Sequence, residues 1–115
     1  MLKQALNKFL NLEGVLTACV VGEGGTILAS AGQKTTDPEQ LGLRVHQGMT
    51  ASKAMAEELD RDELTMIFLE LEESTLLATS LDSDHILAIM TKNNTNIGRI
   101  RYELKKNRDS ITAAL

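Results

Sequence analysis

The sequence predicts an α/β (α+β) fold in the order αββαβββα: a five-stranded antiparallel sheet with helices on both faces. Three segments repeat apolar residues at helical spacing, residues 2–11, 37–59 and those from about 95 onward. Five shorter runs are rich in β-formers and apolar at successive positions, so each would leave an oily face in water unless the sheet is covered twice. The links between the last three runs are two or three residues long, too short for a crossover, which makes those neighbours antiparallel. The long middle helix is expected on one face and the two terminal helices on the other.

Leu2, Leu6, Phe9 and Leu10 give the first helix one buried stripe, and Glu13-Gly14 ends it. Val15 to Val21 is a strand apolar on both faces, and Gly22-Glu23-Gly24-Gly25 turns the chain into a second strand, Thr26 to Ala31. After a polar loop, Gly32 to Thr36, Asp37-Pro38-Glu39-Gln40 starts a long helix. Asp37 caps free backbone N–H groups, Pro38 takes the first helical position, and Gln40 completes a capping box. Leu41, Val45, Met49, Ser52, Ala56 and Leu59 form the stripe expected against the sheet. An Asp60-Arg61-Asp62 turn leads to strands Glu63 to Leu71, Ser74 to Leu81 and His85 to Thr91. The last helix starts near Thr95, capped by Asn94 or Thr95, and buries Ile97, Ile100, Leu104, Ile111 and Leu115. Arg99, Arg101, Lys105, Lys106 and Arg108 fall on its wetter faces.

A chain of 115 residues has room for one domain, here expected to span residues 1–115. With 43% hydrophobic residues but 3% aromatics, the core is aliphatic. The formal net charge of −4 and the lack of aromatic stacking platforms argue against a nucleic-acid partner. A single cysteine, Cys19, excludes an internal disulfide and fits a reducing, cytoplasmic setting. No apolar run approaches a membrane span, and the charge-interleaved start differs from a signal peptide.

No residue pattern points to catalysis, a metal or a cofactor. The Gly22–Gly25 turn shares only its glycines with a phosphate loop: it joins two strands and lacks the Gly-Lys-Ser/Thr ending. His46 and His85 stand in different elements with no second ligand beside either. Cys19, in a strand apolar on both faces, reads as a small buried hydrophobe. Asp82 and Asp84 lack the glycine and terminal glutamate of a calcium loop and read as a solvated turn. Glu57, Glu58, Asp60, Asp62 and Glu63 make an acidic corner after the long helix, either a solvated turn or a partner contact.

What remains points to assembly. As an edge strand, Glu63 to Leu71 would present Leu64, Met66 and Phe68 on one face and Thr65, Ile67 and Leu69 on the other, with neither lysine nor proline to block pairing. Pairing with the same strand of a second copy would extend the sheet about a twofold axis. The preceding helix would then lie beside its symmetry mate, where Gly48, Ala51 and Ala54 allow close approach or leave a flat shelf.

Several stretches, taken in order, resemble roadblock/dynein light chain domains: "LEGVLTACVVGEGGTILAS" from Leu12 to Ser30, the Asp-Pro-Glu helix start, and "NIGRIRYELKKN" from Asn96 to Asn107. The resemblance covers essentially the whole chain and implies the roadblock (profilin/longin-like) fold. It also implies a homodimer, or a heterodimer with a paralogue, whose third strands join into a ten-stranded sheet. The implied dimer interface comprises Gly48, Met55, Leu64, Thr65, Met66, Ile67, Phe68 and Leu69.

Members of that family act as scaffolds for Ras-like small GTPases, as MglB-like regulators that stimulate GTP hydrolysis, or as dynein light chains. The resemblance therefore implies a non-catalytic module whose partner is a Ras-like small GTPase docked on the paired second helices. Carried to this chain, the docking residues are Leu43, Gln47, Thr50, Ala51, Ala54 and Glu58, with His46 at the edge. Arg44 is the helix's one candidate for an arginine supplied to the partner. A structural assembly subunit indifferent to nucleotide state is the second reading, and a small-molecule sensor with a pocket between sheet and helix is the third.

Overall fold

A computed structural model describes residues 1–33, 37–59 and 63–115. The elements run α1 (Leu2–Leu10), β1 (Val15–Val21), a single 3₁₀ turn at Glu23–Gly25, β2 (Ile27–Gly32), α2 (Pro38–Leu59), β3 (Met66–Glu70), β4 (Ser74–Ser80), β5 (Ile86–Lys92) and α3 (Ile97–Ala113). The strands form one five-stranded sheet in the order β2-β1-β5-β4-β3, every neighbour antiparallel. Its two open edges are therefore β2 and β3.

The alternation of side chains along each strand sends successive residues into two separate cores. Ala18, Val20, Leu77, Leu87 and Ile89 pack with Leu6 and Phe9 of α1 and with Ile100, Leu104 and Ile111 of α3. Cys19, Val21, Leu76, Ala78, Ile86 and Ala88 pack with Val45 and Met49 of α2. The double cover expected from the two-sided apolar strands is thus present, with the terminal helices on one face and the long helix on the other.

Two expected features of the α2 start are present: the Glu39 N–H donates to Asp37 Oδ1 at 3.0 Å, and Pro38 occupies the first helical position where no N–H is needed. Burial then fades along the expected stripe. Val45 and Met49 are buried and Ser52 and Ala56 half-buried, but Leu59, the last residue of α2, is 70% exposed. The polar Lys34, Thr35 and Thr36 and the Asp60-Arg61-Asp62 turn lie outside the described residues, as do two of the acids of the acidic corner.

Most element ends shift by a residue or so, and three larger differences from the sequence reading affect the surfaces. The third strand begins at Met66 rather than Glu63, because its register opens with Met66 opposite Thr79, one residue short of the end of β4 at Ser80. Leu64 and Thr65 approach the strand instead: the Thr65 carbonyl accepts from the Thr79 hydroxyl at 2.7 Å, and Leu64 packs against the α2-side core. The cap of α3 is Asn96, whose Oδ1 accepts from the Arg99 N–H at 3.1 Å. Asn94 and Thr95 serve the preceding turn, Asn94 with φ +62° and Thr95 by donating its hydroxyl to the Lys92 carbonyl at 2.7 Å. Leu115, beyond the last turn of α3, is 42% exposed rather than buried.

Along α2, close backbone approach belongs to Gly42 and not to Gly48. A Cβ at Gly42 would meet the Gly25 carbonyl oxygen and come within 2.8 Å of Ile27 Cδ1, so α2 lies directly on the glycine turn. At Gly48 the nearest atom, Ile67 Cδ1, is 3.9 Å away. An alanine in a helix interior ordinarily gains about 1 kcal/mol over glycine. Gly42→Ala is instead expected to lower stability by about 1–2 kcal/mol, since backbone cannot yield as a side-chain tip can. The midpoint of urea unfolding checks this, and an unchanged or raised midpoint contradicts the packing described.

Candidate interaction surface

The open edge at β3 follows from the topology, because nothing lies beyond it in the sheet. Met66 and Phe68 pair with Thr79 and Leu77 and point toward the terminal-helix layer, whereas Ile67 and Leu69 pair with Ala78 and Leu76 and point toward α2. Apolar area rises along the strand: Phe68 is 44% exposed, Leu69 51% and the following Leu71 46%. Such an edge, with Glu70 its single charge, has none of the lysine, proline or bulge devices that keep edge strands from pairing.

Beside that edge runs α2. Gly48 faces Ile67, and Met55, on the same flank, is 60% exposed. Leu43, Gln47, Thr50, Ala51, Ala54 and Glu58 are exposed and fall on the outward half of the helix, while His46 is half-buried on the far flank. The docking residues named from the sequence share the outward half of α2, and Gly48, Met55, Ile67 and Leu69 lie where α2 runs beside β3, whereas Met66 and Phe68 point to the opposite face of the sheet. Leu64 and Thr65 precede the pairing strand, and His46 is turned away from β3.

Two features were missed. Leu71 continues the Ile67-Leu69 alternation and extends the exposed apolar stripe past the strand, a signal present in the sequence. Arg44 Nη1 donates to Gln47 Oε1 at 2.9 Å, an i,i+3 pair that holds the arginine along the helix.

The titratable groups elsewhere have structural explanations. Burial away from any charge pushes the Cys19 thiol up to about 12. In the β4–β5 turn, Asp82 is held below the usual carboxylate range, first by the Asp84 N–H donating to its Oδ1 at 2.8 Å and then by His85, whose Nδ1 lies 2.7 Å from the same oxygen. The depressed pKa means that this turn's contribution is present above the ordinary carboxylate pKa and is lost as pH falls through the lowered value. Among the described residues no three His, Cys, Asp or Glu side chains gather at metal-binding distance. The glycine turn is filled by α2, Gly25 lying against Gly42 and Leu43.

Two hollows lie away from β3. A polar cleft of about 530 Å³ sits between the α1–β1 turn and the start of α3, lined by Asn11, Glu13, Lys92, Asn93, Asn96 and Arg99 among others. A cavity of about 300 Å³ by β2 and the start of α2 is lined by Cys19, Ile27, Leu41 and Met90 with Thr17 and Ser30. Among the described residues no helix is long and apolar enough to cross a membrane.

Comparison with known proteins sharpens this picture. The sequence profile of the Roadblock/LC7 domain matches residues 1–91. The uncharacterized protein MJ0310 of Methanocaldococcus jannaschii is 27% identical over 113 residues, covering 98% of both chains. Among solved structures, MglB of Myxococcus xanthus superimposes with a TM-score of 0.89 at 22% identity, covering 98% of this chain and 93% of that one. A Roadblock/LC7 domain from Streptomyces avermitilis also reaches 0.89, at 11% identity, covering 97% and 95%. The two structural matches establish a shared fold.

The Cys19 environment yields a direct test of the absence of a reactive thiol. With the thiolate disfavoured and the sulfur enclosed, native protein at pH 8 is expected to leave a thiol-reactive chromogenic disulfide unreacted, and unfolded protein to consume one equivalent. Rapid labelling of the native state contradicts the buried, inert assignment.

Proposed function

The chain belongs to the Roadblock/LC7 domain family, and from that membership we propose that it is a non-catalytic, dimeric interaction module of the cytoplasm that binds and regulates or positions a Ras-like small GTPase. The observation that carries this reading is the open β3 edge, apolar on both faces, set beside a helix whose outward side includes the small residues Thr50, Ala51 and Ala54. Pairing of two β3 edges would satisfy their free backbone groups, cover Phe68 and Leu69, and bring two α2 helices together along Gly48 and Met55. Leu43, Gln47, Thr50, Ala51, Ala54 and Glu58 of both copies would then form the shelf for the GTPase.

Any effect on hydrolysis works through the partner's own residues. Arg44, the one arginine of α2, already gives a donor to Gln47, which supports docking that reorients the GTPase over a mechanism in which this chain supplies an arginine. A homodimer is the simplest assembly, and a paralogue with the same open edge could replace one copy.

Two experiments test this. Sedimentation equilibrium is expected to show a dimer, and Phe68→Lys with Leu69→Lys to weaken it by about a hundredfold or more, since each change removes an apolar side chain worth roughly 1.5–3 kcal/mol when buried. A wild-type monomer at micromolar concentration overturns the dimer. For the shelf, Ala51→Arg is expected to abolish capture of a Ras-like GTPase from the same organism while leaving the dimer intact. Equal capture of the GDP-loaded and GTP-loaded forms would favour the assembly-subunit reading, and unchanged affinity of the variant would move the site off α2.

A further inference from the structure

The charge of this chain is divided between its two sides. Helices α1 and α3 carry seven of its twelve Lys and Arg residues but only two of its sixteen Asp and Glu residues. The terminal-helix layer thus has a formal charge of +5 and the remainder −9, although the whole chain is −4. Lys8, Arg99, Arg101, Lys105 and Lys106 are exposed, and among the described residues none of them lies within ion-pair distance of a carboxylate. Of the two acids, Glu103 is half-buried and engaged by Asn107 Nδ2 at 3.3 Å, which leaves Asp109 as the exposed one.

We propose that the α1/α3 layer is a docking surface for an anionic lipid bilayer. The basic side chains are spread over a two-helix layer backed by the sheet, the arrangement a planar charged surface can engage all at once. Tyr102, 62% exposed, stands among them on α3, and an amphipathic ring at that level suits the headgroup region. A nucleic-acid partner fits less well, because Tyr102 is the layer's one exposed aromatic and gives no platform for successive bases. The acidic remainder orients the molecule, since an anionic surface attracts one side and repels the other.

This surface does not depend on the GTPase reading. Pairing through β3 would nevertheless place two basic layers on one side of the joined sheet and both α2 helices on the other, leaving the shelf facing away from the lipid.

Vesicle co-sedimentation tests the proposal on the full chain. Binding is expected to vesicles of phosphatidylcholine with phosphatidylserine, to fall as salt rises, and to be absent with phosphatidylcholine alone. Each basic residue at such a surface contributes about fivefold in affinity. Arg101→Glu with Lys105→Glu is therefore expected to lose at least tenfold, with the fold checked by circular dichroism. Arg44→Glu with Lys53→Glu changes the net charge equally on the opposite side and is expected to bind like wild type. Absence of wild-type binding, equal loss in both double variants, or tighter binding to a DNA duplex than to the vesicles at the same salt would each overturn it.

Discussion

A sheet whose central strands are apolar on both faces cannot be stable with one covering layer, and most of this architecture follows from that condition. Ala18 and Val20 of β1 bury on the opposite side from Cys19 and Val21, and the same division splits Leu77 from Leu76 and Ala78 in β4 and Leu87 and Ile89 from Ile86 and Ala88 in β5. The chain answers with α1 and α3 on one face and α2 on the other. The two cores are separate because the sheet lies between them, so each helix layer can carry its own surface chemistry.

The cover stops at β3, and this is where structure turns toward function. Its backbone groups are satisfied on one side by β4 and open on the other, while Phe68, Leu69 and Leu71 remain substantially exposed. The other edge strand, β2, exposes less apolar surface, with Leu28 its one large exposed apolar residue. This difference in exposed apolar surface is what motivates the proposed twofold contact at β3.

The two layers also separate electrostatically. On the proposed protein-docking side the charges of α2 nearly cancel, Arg44 and Lys53 against Glu39, Glu57 and Glu58, while the opposite layer is strongly basic in an acidic chain. Cys19, Asp82 and His85 have structural roles: the thiol is enclosed, and Asp82 and His85 close the β4–β5 turn.

Element order, antiparallel pairing and double cover were legible because they rest on local periodicity and on link lengths: strands apolar at successive positions can be buried only one way. The caps were partly legible, Asp37 found and Asn96 missed, since three neighbouring residues, Asn94, Thr95 and Asn96, could all cap and only the path of the turn chooses among them. Tertiary structure alone decided that β3 begins at Met66, that Gly42 and not Gly48 is where α2 touches backbone, and that His46 turns away from β3. The physical reason is the same in each case. Periodicity determines which side of an element is apolar, whereas register and the identity of the neighbour depend on contacts between residues far apart in the chain.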